Sequence, residues 1–265
     1  MAENREPWRG DMRSPRSLVT LGSKGRFVQS RRQALQIAGG TAAFSLLPRA
    51  RAADITVDLQ LVMAVDASGS VDMERFNLQK QGYVDAFRNP RVLEAILSGP
   101  HRSIAVTMFQ WTGQRMQAEV IPWMVIADEA SAEQVARSIA QVPRKLFGGG
   151  TSISGAIDAA MPLFGKSNQR GDRMVIDISG DGSNNGGRRV TRSRDEAVSL
   201  GITINGLPIL SIEPNLEDHF RDEVIGGVGS FLIAAQNFQK FGEAIVKKLV
   251  TEIADSGAGA SQTLG

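Results

Sequence analysis

The chain is 265 residues long, with 42% hydrophobic and 22% charged residues, a balance that fits a globular domain and excludes collagen, coiled coil and general disorder. No apolar run reaches the roughly 18 residues of a membrane-spanning helix, and the absence of cysteine excludes disulfides, zinc–thiolate centres, iron–sulfur clusters and a cysteine nucleophile. The formal net charge of +2 hides an asymmetry: residues 1–52 hold ten Lys/Arg against three acids, a net of +7, and the remainder holds twenty against twenty-five, a net of −5.

Residues 1–52 read as a targeting segment rather than as part of the fold. Ser30-Arg31-Arg32-Gln33-Ala34-Leu35 resembles the bacterial twin-arginine export motif, with Ala34 where a Phe is common. A mildly apolar stretch, Ala34 to Leu47, is too short for a stable anchor. Pro48 and Ala50-Arg51-Ala52-Ala53 then fit small-x-small cleavage after Ala52. The mature protein is expected to be acidic and periplasmic or secreted, which makes nucleic acid a poor partner for it.

From residue 53 onward, strands alternate with helices. Leu59–Val65 is an almost continuous apolar run ending at Asp66, the pattern of a strand buried on both faces of a parallel sheet. Met73, Phe76, Lys80, Tyr83, Val84 and Phe87 keep helical spacing, and Asn89-Pro90 stops that helix. A second strand covers Ile104–Phe109. Thr112-Gly113-Gln114 turns into Met116–Ile121, an antiparallel edge strand ended by Pro122. Helices follow over Ala130–Gln141 and Ser152–Phe164, then a strand over Met174–Ile178 and a helix over Arg189–Leu200. Two strands, Ile202–Ile209 and Ser230–Ala234, precede a last helix marked by Phe238, Phe241, Ile245, Leu249 and Ile253. The order predicts one α/β domain over residues 53–254, a doubly wound, mostly parallel sheet with one antiparallel edge strand and helices on both faces. The Gly/Ala/Ser-rich tail over 255–265 reads as disordered.

In such sheets, ligands bind at the carboxyl ends of the strands, and three oxygen-rich segments fall there. Asp66-Ala67-Ser68-Gly69-Ser70 leaves the first strand, Gly148-Gly149-Gly150-Thr151 precedes a helix, and Ser179-Gly180-Asp181-Gly182 leaves the Met174–Ile178 strand. The i, i+2, i+4 spacing puts Asp66, Ser68 and Ser70 on one side of an extended segment. With Thr151 and Asp181 they make five oxygen-bearing side chains, a set for a hard divalent cation rather than zinc or copper.

These residues, in this order, resemble the metal-ion-dependent adhesion site of von Willebrand factor A domains. Longer blocks resemble an exported bacterial branch of that family with no assigned activity: Val65–Asp72, Ile176–Asn185, Gly201–Ile209 and Arg221–Gly227. The resemblance implies that Ser68, Ser70 and Thr151 touch the ion, magnesium before calcium or manganese. It implies that Asp66 and Asp181 act mainly through water, and that a partner protein supplies a Glu or Asp to the sixth position.

Three other readings compete. Magnesium-dependent phosphoryl transfer would use Asp66 as nucleophile, yet Ser68 stands where such enzymes place a second Asp. A chaperone or chelatase-type subunit would need cytoplasmic company. Serine hydrolysis has only His101 and His219 as bases, and no Gly-x-Ser-x-Gly elbow. Asp177, inside an apolar strand, needs a partner in a nearby loop or at the metal site. Asn184 and Asn185 form a turn or orient Asp181, while Arg188, Arg189, Arg192 and Arg194 form a solvated basic face or steer an acidic partner. Trp111 and Trp123 pack around the edge hairpin.

Overall fold

The computed structural model describes residues 55–254; the targeting segment expected over 1–52 and the tail expected over 255–265 lie outside the described residues. The described residues form a five-stranded sheet in the order β3-β2-β1-β4-β5. The strands are β1 (Ile55–Asp66), β2 (Ile104–Trp111), β3 (Gln117–Ile126), β4 (Gln169–Gly180) and β5 (Ile202–Pro208). β1 pairs in parallel with both β2 and β4, β4 pairs in parallel with β5, and β3 alone runs antiparallel, at the edge.

Alternation along β1 divides the core into two layers. Leu59, Leu61, Met63 and Val65 point to a face covered by α1 (Met73–Arg88), α2 (Pro90–Ser98), α3 (Glu129–Ala140) and α7 (Phe241–Ala254). Val62 and Ala64 point to the other face, under α4 (Ile153–Phe164), α5 (Val190–Ser199) and the short α6 (Leu216–His219) with the π turn Phe220–Val224 after it. This is the expected doubly wound arrangement, and Trp111 is fully buried within it. No helix among the described residues is long and apolar enough to cross a membrane.

Four local readings change. Asn89 ends α1, with its N–H on Ala86 O at 3.1 Å, but its side chain also accepts from Arg91 N at 3.0 Å and so starts a second helix with Pro90 in its first turn. β3 does not stop at Pro122 but runs on to Ile126, because the β2–β3 register shifts between Val106 and Met108 and an edge strand tolerates the missing donor. The segment Ser230–Ala234 is not a strand of the sheet. It makes only isolated bridges to β5, Gly206 with Leu232 and beyond it Ile209 with Ala235, since Asn205 Oδ1 takes the Phe231 N–H at 2.9 Å. Met73, read as part of the apolar stripe of α1, is half exposed.

Asp177 binds neither a loop nor the strand-end site. From β4 it meets Lys248 of α7, whose Nζ lies 2.7 Å from Asp177 Oδ1 and donates to Glu252 Oε2 at 3.0 Å. All three side chains are fully buried. Glu252 Oε1 accepts from Asn205 Nδ2 at 2.9 Å, so α7 is tied to β4 and β5 through charge as well as apolar packing. Burial pushes the Asp177 carboxyl up; burial also opposes the charge on Lys248, but Asp177 and Glu252 outweigh it and hold the ammonium above its ordinary pKa. Removing one partner of such a cluster leaves uncompensated charge inside the protein. Lys248→Met is therefore expected to cost about 3–5 kcal/mol in urea denaturation, and adding Asp177→Asn should recover part of that loss. If the double variant is no more stable than Lys248→Met, the stranded charge is not the cause.

Candidate metal centre

β1 and β4 lie side by side in parallel, with Val65 opposite Ser179, so the two strands deliver Asp66 and Asp181 to neighbouring positions at their carboxyl ends. Asp66 turns the chain that follows it, its Oδ1 accepting from Ser68 N at 2.7 Å. Ser68 Oγ and Ser70 Oγ are 3.1 Å apart, and Ser70 Oγ donates to Asp181 Oδ1 at 2.6 Å. Four of the expected residues thus form one hydrogen-bonded chain across two loops.

The glycine loop completes the crevice. Gly148 and Gly149 hold φ of 71° and 86°, a left-handed conformation that favours glycine. The loop passes so close to the first motif that a Cβ on Gly69 would lie 3.5 Å from Gly149 O. Thr151 is buried, and a Cβ on Gly182 would sit 3.4 Å from its Oγ1, which puts that hydroxyl beside the Asp181 loop. Asn185 fixes Thr151 by two bonds, accepting from Thr151 N and donating to Thr151 O, each at 2.8 Å. Asn184 Oδ1 accepts from Ser154 N at 3.1 Å. The two asparagines therefore pin the threonine loop and do not orient Asp181.

Asp66 and Asp181 are fully buried, and among the described residues neither Oδ2 atom has a hydrogen-bond partner. Burial, opposed by the bonds from Ser68 and reinforced by the charge of Asp181, pushes the Asp66 carboxyl up to about 7. Burial likewise raises Asp181, against the hydrogen bond from Ser70 and the charge of Arg75. Arg75 Nη1 is 3.6 Å from Asp181 Oδ2 but spends its hydrogen bond on Ser70 O at 2.7 Å. Two buried carboxylates with free oxygens, ringed by hydroxyls, fit a hard divalent cation.

Several supporting residues carry no sequence signal. Arg144 reaches from the loop after α3 to donate to Ala67 O and Ser68 O, both at 3.0 Å. Gln79 Nε2 donates to Asp66 O at 3.2 Å, and Glu213 Oε2 accepts from Ser183 N at 3.0 Å beside the Asp181 turn. His219 Nε2 accepts from Asn184 N at 3.2 Å, so that nitrogen is taken up by the backbone; His101 sits in the loop before β2 with its Nε2 on Asp172. Within the arginine cluster, Arg188 pairs with Asp158 and Glu196, and Arg194 with Asp195. Trp123 is partly buried, with its Nε1 on Leu163 O at 3.0 Å.

Over residues 56–257 the sequence matches the family described as protein of unknown function DUF1194. The chain belongs to that family. No curated protein matches it. The architecture is that of von Willebrand factor A domains. Proximal thread matrix protein 1 from the mussel byssus, in a structure with a zinc-occupied adhesion-site motif, is 14% identical and aligns over 76% of this chain and 47% of its own with a TM-score of 0.54. The von Willebrand factor type A protein from Catenulispora acidiphila is 13% identical, over 76% and 43% of the two chains, with a TM-score of 0.52. The corresponding domain of the type V pili tip protein Mfa5 from Porphyromonas gingivalis is 10% identical, over 75% and 97%, with a TM-score of 0.50. The chain thus spans less than half the length of the byssus and Catenulispora structures.

The folded-state pKa of Asp66, near 7, exceeds its ordinary 3.8, so the metal-free protein loses stability as pH rises through that window. With cations chelated, Asp66→Asn is expected to raise stability at pH 8 by on the order of 2 kcal/mol. The advantage should shrink as pH falls toward 5. Denaturation curves at both pH values check this; a variant less stable than the wild type at pH 8 contradicts it.

Proposed function

We propose that the chain is an exported von Willebrand factor A-like domain that binds a divalent cation and, through it, an acidic residue of a protein partner. The observation that carries this reading is the pair of buried oxygens, Asp66 Oδ2 and Asp181 Oδ2, left without hydrogen bonds inside a shell of hydroxyls. Ser68, Ser70 and Thr151 would contact the ion, and Asp66 and Asp181 would hold those hydroxyls in place and act on the ion mainly through water. The bonds from Ser70 Oγ to Asp181 and from Ser68 N to Asp66 keep the donors oriented before any ion arrives. An all-oxygen set suits magnesium first, with calcium or manganese as alternatives. A bound divalent cation supplies an open coordination position and the positive charge that attracts a carboxylate from outside. The zinc carried by the byssus protein at its own motif supports a metal-dependent role for this architecture.

No observation favours an enzyme. Ser68 is tied into the Asp66–Ser70 turn where phosphoryl transfer would need a second acid, and His219 has its Nε2 occupied. The twin-arginine-type segment over residues 1–52 supports export to the periplasm or beyond, which leaves a cytoplasmic ATP-driven partner out of reach.

Calorimetry with magnesium, calcium and manganese is expected to give saturable binding to the wild type and none to Asp66→Ala. Equal heats from both would sink the metal claim. Capture of envelope proteins should be lost with chelator and with Ser68→Ala/Ser70→Ala. Turnover of phosphate esters that disappears in Asp66→Asn would instead favour the hydrolase. A reporter fused to residues 1–52 should reach the periplasm and be held in the cytoplasm by Arg31→Lys/Arg32→Lys; export of the double variant through the same route would refute the targeting claim.

A further inference from the structure

We propose that Asp58, His101 and Asp172 form a second divalent-cation site, of the nitrogen-and-oxygen type that suits zinc, at the opposite end of the sheet from the five-oxygen crevice. Asp58 lies near the start of β1 and Asp172 near the start of β4. Val57 is registered with Gly171 and Leu59 with Arg173, so Asp58 and Asp172 are direct neighbours on paired parallel strands. Their positions in the alternation, Asp58 with Val62 and Asp172 with Ile176, send both side chains to the same face. Like charges opposite one another on adjacent strands are destabilising unless something positive lies between them.

The loop before β2 brings an imidazole to that place. Asp58 is buried, and its carboxylate accepts from His101 N at 2.8 Å and from Ser103 N at 3.3 Å, so it is held in one orientation with lone pairs to spare. A Cβ on Gly99 would fall 2.3 Å from Asp58 Oδ2, and glycine there is what lets the loop close over the carboxylate. His101 Nε2 then reaches Asp172 Oδ2 at 3.0 Å, and one ligand atom from each of the three residues lies within 4.8 Å of the others. Zinc with bonds of about 2.0–2.2 Å to nitrogen and oxygen spaces tetrahedral ligands about 3.3 Å apart, close to the His101–Asp172 separation. Two carboxylates and a neutral imidazole balance the +2 charge, and exposure of Asp172 and His101 leaves a path for the ion and a fourth position for water. Some 25 Å of β1 separates Asp58 from Asp66, so the two sites are independent.

The test uses the untagged full chain carrying Asp66→Ala and Asp181→Ala, which removes the strand-end acids, and in parallel the wild type with that crevice saturated by magnesium. Zinc titration is expected to give one equivalent in both. His101→Ala and Asp172→Asn, both exposed, should each weaken it at least tenfold while far-UV circular dichroism stays unchanged. Cobalt should show a visible d–d band that His101→Ala abolishes. Absence of saturable zinc uptake in both backgrounds, or uptake unaltered by the His101→Ala/Asp172→Asn pair, overturns the proposal, and neither result bears on the five-oxygen crevice.

Discussion

The parallel pairing of β1 with β4 places two carboxylates where neither can be comfortable. Val65 opposite Ser179 puts Asp66 level with Gly180 and Asp181 one residue beyond it, and burial then removes the water that would otherwise separate the two acids. Everything around the crevice follows from managing that pair. Ser68 and Ser70 donate hydrogen bonds to one oxygen of each acid, the glycines at 148 and 149 let a hydroxyl-bearing loop approach, and Asn185 holds Thr151 against it. What remains unmet is one oxygen on each carboxylate.

The same strand shows how this chain treats a buried acid that has no outside ligand. Four residues before Asp181, Asp177 faces Lys248 at 2.7 Å, and Glu252 and Asn205 close the surrounding network from α7 and β5. A lysine could have been spent at the strand end as well. Instead the nearest cation, Arg75, stands 3.6 Å from Asp181 and bonds a backbone carbonyl. One buried acid of β4 is paired with a lysine inside the fold while Asp66, at the end of β1, and Asp181, just after β4, have no such partner, and that contrast is what the proposed ion site rests on.

The reach of the sequence can be traced residue by residue. Asp66, Ser68 and Ser70 were legible because an extended segment puts alternate residues on one side, and Asp181 because strand ends gather ligands in this class of sheet. Asp177 was legible as an anomaly, but its partner was not: Lys248 sits four residues before Glu252 on a helix whose other marked positions are apolar, and nothing local marks it as buried. Arg144 and Glu213 act from loops distant in sequence, and only the folded chain shows them beside the crevice. The run Ser230–Ala234 has the composition of a strand, yet a side chain on β5 claims one of its backbone donors, a long-range competition that no periodicity encodes. Asn89 was read as a stop and is also a start, since the residue whose backbone N–H closes one helix caps the next with its side chain.

Charge counting limits how such a crevice can work. Two carboxylates match a divalent ion, and the three remaining side chains, Ser68, Ser70 and Thr151, are neutral, so the ion would retain electrophilic character toward a further anion. A third carboxylate from inside the protein would quench it; Glu213 comes near the Asp181 turn but gives its Oε2 to Ser183 and so stays tied to the backbone. A partner's carboxylate would then complete the coordination, and linkage requires that it tighten the ion by the same factor by which the ion tightens the partner. A domain built this way would hold an ion more weakly alone than in company, and burial, which raises the Asp66 carboxyl to about 7 in the metal-free state, would set proton and ion in competition for that side chain.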